Sequence, residues 1–93
     1  MKLRIARHTN DFIAIQHFYI GLLGLDYLGE FKDHSGYDGV FIGLKNADWH
    51  LEFTMSANKP EHHPDDDDLL VFYIETEQKM DEILTKLAAN KVK

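Results

Sequence analysis

From Ser56 to Asp68 the chain reads Ser-Ala-Asn-Lys-Pro-Glu-His-His-Pro-Asp-Asp-Asp-Asp. Both prolines of the chain and four successive carboxylates fall in this stretch. Such a segment can neither continue a hydrogen-bonded element nor bury apolar surface. Any core must therefore come from residues 1–55 and 69–93, separated by an acidic linker at 56–68. A total of 93 residues allows one domain at most, with little core to spare.

The linker region also explains the charge. Net charge is −6, yet residues 61–82 hold nine acids against the single base Lys79, so the remainder is slightly basic. No cluster of Lys and Arg matches a phosphate backbone, so a nucleic-acid partner is not expected. The chain has no cysteine, which excludes disulfides, thiolate metal sites and cysteine nucleophiles. No apolar run approaches the roughly 18 residues of a membrane span, and the first residues lack a signal-peptide apolar region. A cytoplasmic protein with no membrane partner is the expectation.

Hydrophobic periodicity places the elements. Residues 3–9 alternate, with Leu3, Ile5 and Arg7 on one side and Arg4, Ala6 and His8 on the other. Thr9, Asn10 and Asp11 offer helix N-caps. Phe12, Ile15, Tyr19 and Leu22 then form an amphipathic stripe of about three turns, and Gly24 suits a helix stop. Strand-like runs follow at 25–31, 37–44 and 48–55, joined by short connections at Lys32–Gly36 and Lys45–Ala47. In the last run Trp49, Leu51, Phe53 and Met55 share an apolar face, and His50, Glu52 and Thr54 share the other. After the linker, Leu69–Ile74 is continuously apolar and predicts a strand. Thr76 caps a second helix over 77–90, with its stripe through Met80, Ile83, Leu84, Leu87 and Ala88. The class is α+β. The order is β-α-β-β-β over 1–55, the linker, and β-α over 69–93.

Particular segments resemble one family. The Thr9-Asn10-Asp11-Phe12 junction, the helix end His17-Phe18-Tyr19-Ile20-Gly21-Leu22-Leu23-Gly24-Leu25, the run His50-Leu51-Glu52-Phe53-Thr54 and the run Leu70-Val71-Phe72-Tyr73-Ile74-Glu75-Thr76 are similar to the glyoxalase / bleomycin-resistance / extradiol-dioxygenase superfamily, the vicinal oxygen chelate fold. That resemblance implies βαβββ modules, two of which enclose a cavity, often with a divalent metal acting as Lewis acid. It implies activities as different as lyases, dioxygenases, epimerases, thiol transferases and non-catalytic drug binding. It also implies that the second module lacks three strands of about 25–35 residues, through truncation or completion by a partner chain. A homodimer is expected.

The family's ligand positions fall on Arg4, Glu52 and Leu69. Arg stays protonated and cannot ligate, and Leu has no donor. The reading is an Arg4–Glu52 ion pair in the metal's place, with no cofactor and a small organic ligand held by Arg4, His8, Tyr37, Phe41, His50 and Glu52. Glu52 could instead face solvent, or Arg4 could clamp a ligand's carboxylate or phosphate. The alternative is a divalent-metal lyase or dioxygenase (Zn, Ni, Mn or Fe) with Glu52 as a ligand, aided by His8 and His50. Gly39 and Gly43 alternate with Tyr37 and Phe41, either leaving room for a flat ligand or marking strand distortion. His62, His63 and the aspartates after them could attract cations adventitiously, but the reading is a solvated linker. A ferredoxin-like regulatory domain is disfavoured by three consecutive strands after the first helix.

Overall fold

The computed structural model describes residues 1–57 and 69–91. The chain divides into two compact units, Met1–Pro60 and Glu61–Lys93. The first is a curled four-stranded sheet with one helical segment. Its strands are β1 (Leu3–His8), β2 (Asp26–His34), β3 (Tyr37–Gly43) and β4 (Trp49–Met55), in spatial order β1-β4-β3-β2. β2, β3 and β4 form an antiparallel meander, and β1 lies parallel to β4. A parallel neighbour requires a crossover, and the helix after β1 supplies it.

That helix starts where the sequence indicates. Among the three candidate caps, Asp11 is used: its Oδ1 accepts from the Ala14 N–H at 3.0 Å. The expected three-turn α-helix is not uniform, however. α1 covers only Phe12–Gln16, and His17–Leu22 is π-helical. The Leu23 N–H reaches back five residues to the Phe18 carbonyl at 3.0 Å, and the Leu25 N–H reaches back to Tyr19. The wider turn keeps both Phe18 and Leu22 on the packed side. Gly24, at φ +79°, ends the segment.

The helical segment packs on one face of the sheet. Tyr19 meets Phe53 with ring centroids 5.0 Å apart. Leu22, Val40, Ile42, Leu51 and Phe53 form the buried core, and Ile42 is fully enclosed. β2 runs three residues further than expected, to His34, so the β2–β3 connection shrinks to Ser35-Gly36. Both have positive φ, at 54° and 86°, as a two-residue hairpin turn requires. β2 also carries two irregularities, between Tyr27 and Gly29 and between Phe31 and His34. The first puts Tyr27 and Glu30, three residues apart, on the same face, where the Tyr27 hydroxyl donates to Glu30 at 2.5 Å. This bond to a carboxylate, followed by smaller effects of burial and the Glu30 charge, raises the Tyr27 pKa.

The second unit holds α2 (Glu77–Ala89), capped by Thr76, whose Oγ1 accepts from the Lys79 N–H at 3.1 Å. Residues 69–74 are not a strand, contrary to the sequence reading. A strand is defined by its ladder, and the ladders among the described residues join β1, β4, β3 and β2. Leu69 and Tyr73 are 73% and 92% exposed. The linker residues from 58 to 68, including His62, His63 and the aspartates, lie outside the described residues. No helix among the described residues is long and apolar enough to cross a membrane.

Candidate functional site

Strand register assigns the faces. Residues paired across a sheet point to the same side. Arg4, Ala6 and His8 pair with His50, Glu52 and Thr54, which pair in turn with Gly43, Phe41 and Gly39. Tyr37 continues that side of β3. The six residues singled out from sequence (Arg4, His8, Tyr37, Phe41, His50 and Glu52) therefore share the face opposite the helix-packed core.

At its centre Arg4 Nη1 lies 3.5 Å from Glu52 Oε1. The two are diagonal neighbours, because the residue directly opposite Glu52 is Ala6. The small alanine leaves the path open for the long arginine. The Glu52 side chain is 12% exposed and that of Arg4 57%. A largely sequestered carboxylate is costly without a partner, and Arg4 provides one.

Aromatic and imidazole rings cross the face from strand to strand. His34 meets Phe31 at 6.0 Å, Phe31 meets Phe41 at 5.7 Å, and Phe41 meets His50 edge-on at 5.5 Å. Phe31 and His34 escaped the sequence reading. Plain alternation would group Phe31 with Tyr27, whereas the irregularity after Tyr27 moves Phe31 to the open face. The available signal was Gly29, a glycine inside a strand.

The glycines of β3 make room, but for neighbouring side chains. A Cβ at Gly39 would collide with the edge of the Phe31 ring, and one at Gly43 would lie 3.2 Å from both the His50 Cβ and a Leu28 methyl. The face is thus floored by tightly fitted side chains.

The six residues do not converge on one point. Arg4, Phe41 and His50 line a cleft of about 420 Å³ at the β1 N-terminal end, together with Lys2, Leu28, Leu44, Lys45, Ala47 and Trp49. His8 and Tyr37 meet at the other end, 6.2 Å apart, and His8 Nε2 lies 3.2 Å from Ser56 Oγ. Glu52 sits between. A second hollow, of about 490 Å³, is lined by Phe12, Gln16, Tyr27 and Glu30 near α1 and β2. It contains none of the six residues, whereas the open-face cleft combines apolar walls with three cations, Lys2, Arg4 and Lys45. Leu69, the remaining family ligand position, is exposed in the second unit.

Residues 3–54 match the family model of the YycE-like N-terminal domain. Over 89 residues, 92% of the chain, the sequence is 45% identical to the uncharacterized protein YycE of Bacillus subtilis (strain 168), of which it covers 63%. Among solved structures it is similar to a crystal structure of a YycE protein of unknown function from Bacillus subtilis, a candidate glyoxalase/fosfomycin resistance protein. The TM-score is 0.79 at 43% identity, over 96% of this chain and 66% of that one. The chain thus spans just under two thirds of the relatives it matches. With more than half its length matched by the family model, this chain belongs to the YycE-like N-terminal domain family.

Proposed function

We propose that this chain is part of a glyoxalase/bleomycin-resistance-like protein that holds a small organic molecule on the open face of the sheet, without the superfamily's standard metal centre. The observation that carries this reading is the Arg4–Glu52 pair. A cation that cannot ligate stands at the first-strand position, and it engages the one carboxylate a metal would need. The residues present therefore do not fit the standard centre. The relative described as a candidate glyoxalase/fosfomycin resistance protein supports the superfamily assignment.

A second reading has its own observation. The register puts Glu52 and His50 on one face of β4, and a carboxylate with an imidazole suits a divalent metal; His8 lies at the other end of the face, so further ligands would have to come from beyond the described residues. In that reading the protein is a metal-dependent lyase or dioxygenase. Equilibrium dialysis against Zn, Ni, Mn and Fe(II) separates the two. The metal-free reading expects no stoichiometric uptake, and coupling of about 0.5–1 kcal/mol between Arg4→Ala and Glu52→Ala in a double-mutant cycle. Stoichiometric metal that disappears in Glu52→Ala would overturn it.

A further inference from the structure

We propose that the cleft at the Arg4 end of the open face takes a planar, apolar molecule carrying one terminal anionic group, a carboxylate or a phosphate-type group. The inference rests on the open face being a ligand site and adds the chemistry of what it holds.

Charge is the first argument. In a chain with 16 acids and 10 bases, the cleft is lined by Lys2, Arg4 and Lys45 and, among the described residues, by no Asp or Glu. The cations come from separate places, the approach to β1, β1 itself and the connection between β3 and β4. The fold gathers them at one end of the sheet. Two carboxylates lie just outside it: Glu52 touches Arg4 Nη1 by a single long contact at 3.5 Å, and Asp26 Oδ2 accepts from the Lys45 backbone N–H at 3.2 Å. The guanidinium carries five N–H donors in a planar fork. Its remaining donors have no other partner among the described residues, so Arg4 can bind an anion while still held by Glu52.

Shape is the second argument. Leu28, Phe41 and Leu44 give the cleft apolar walls. The Phe41 ring is braced by Phe31 on one neighbouring strand and by His50 on the other, so little side-chain entropy is left to lose when a flat molecule settles. Beside it Gly43 is closed over by His50 and Leu28, which keeps the floor level. About 420 Å³ lies within the range of small-molecule sites.

Trp49 lines the cleft and is the only tryptophan of the chain. Its single indole N–H resonance in proton–nitrogen correlation spectra reports occupancy. The 93-residue chain is titrated with 2-naphthoate, 2-naphthyl phosphate, the uncharged 2-naphthamide, acetate and inorganic phosphate. The expected result is saturable binding of an aromatic anion at least about tenfold tighter than the amide, the scale of one charge-assisted hydrogen bond. Acetate and inorganic phosphate alone leave the resonance unmoved, and the tighter aromatic anion names the head group. Arg4→Gln removes the preference for the anion over the amide. Lys45→Gln and Lys2→Gln, which leave the Arg4–Glu52 pair intact, each weaken it severalfold, as does added salt. Equal affinity for naphthoate and naphthamide would overturn this inference while leaving a ligand site on the open face. No binding of any aromatic probe would overturn both.

Discussion

β4 and the run Leu69–Ile74 make an instructive pair. β4 alternates, and three of its seven residues are His50, Glu52 and Thr54. Leu69–Ile74 is apolar throughout and reads as the better strand. Yet β4 is an inner strand with a ladder on each side, whereas 69–74 is not a strand and much of it is exposed. Strand character in a sequence is an offer of backbone groups and a face, and it takes effect only where another strand accepts it. α2 needs no such neighbour, because a helix satisfies its backbone internally and Thr76 closes its first turn.

The largest expected effect tests this contrast directly. Ile42→Ala, at a fully enclosed position, costs about 2–5 kcal/mol of stability. Val71→Ala, at a 63% exposed position, stays within about 0.5 kcal/mol. Urea unfolding followed by Trp49 fluorescence and by circular dichroism measures both. Equal costs would break the comparison. A smaller effect is expected for Gly39→Ala, whose Cβ must displace Phe31; overpacking of this kind costs about 1–3 kcal/mol. Ala88→Gly on exposed α2 loses only about 0.5–1 kcal/mol, through helix propensity. The smallest effect is a pH dependence. Burial against the sheet raises the Tyr19 pKa above 10.0, partly offset by the Arg7 guanidinium. Below pH 10 Tyr19 is neutral in both states and contributes no slope. Above it the unfolded chain ionises first, so stability falls as pH rises toward the raised value. Melting curves read through Trp49 should show this loss, and Tyr19→Phe should reduce it, leaving the share of Tyr27.

Much of this was legible from the residues. Asp11 and Thr76 are short oxygen-bearing side chains just before a helical stripe, and both cap. The alternation of β1, β3 and β4 sorted the two faces, and the family resemblance, not the alternation, put Arg4 and Glu52 on neighbouring strands. What escaped depends on neighbours that a single strand does not reveal. The β2 irregularity that carries Phe31 to the open face is a mismatch between two strands. The π-helical turn at His17–Leu22 is chosen by packing on the sheet, since the same residues also suit an α-helix. The β3 glycines suggested an empty groove or strand distortion, whereas the space beside them is filled by Phe31, His50 and Leu28, which a single strand does not reveal.

The pairing of β1 with β4 has a consequence in time. Arg4 and Glu52 are 48 residues apart, so their meeting closes a long loop and is slow compared with the hairpins beside it. On a ribosome adding about 5–20 residues per second, β1 waits about 2–10 s for β4 to be made. Of the four strands of this sheet, the earliest made is the last to find its neighbour, and the proposed site comes into being only when the sheet accepts it.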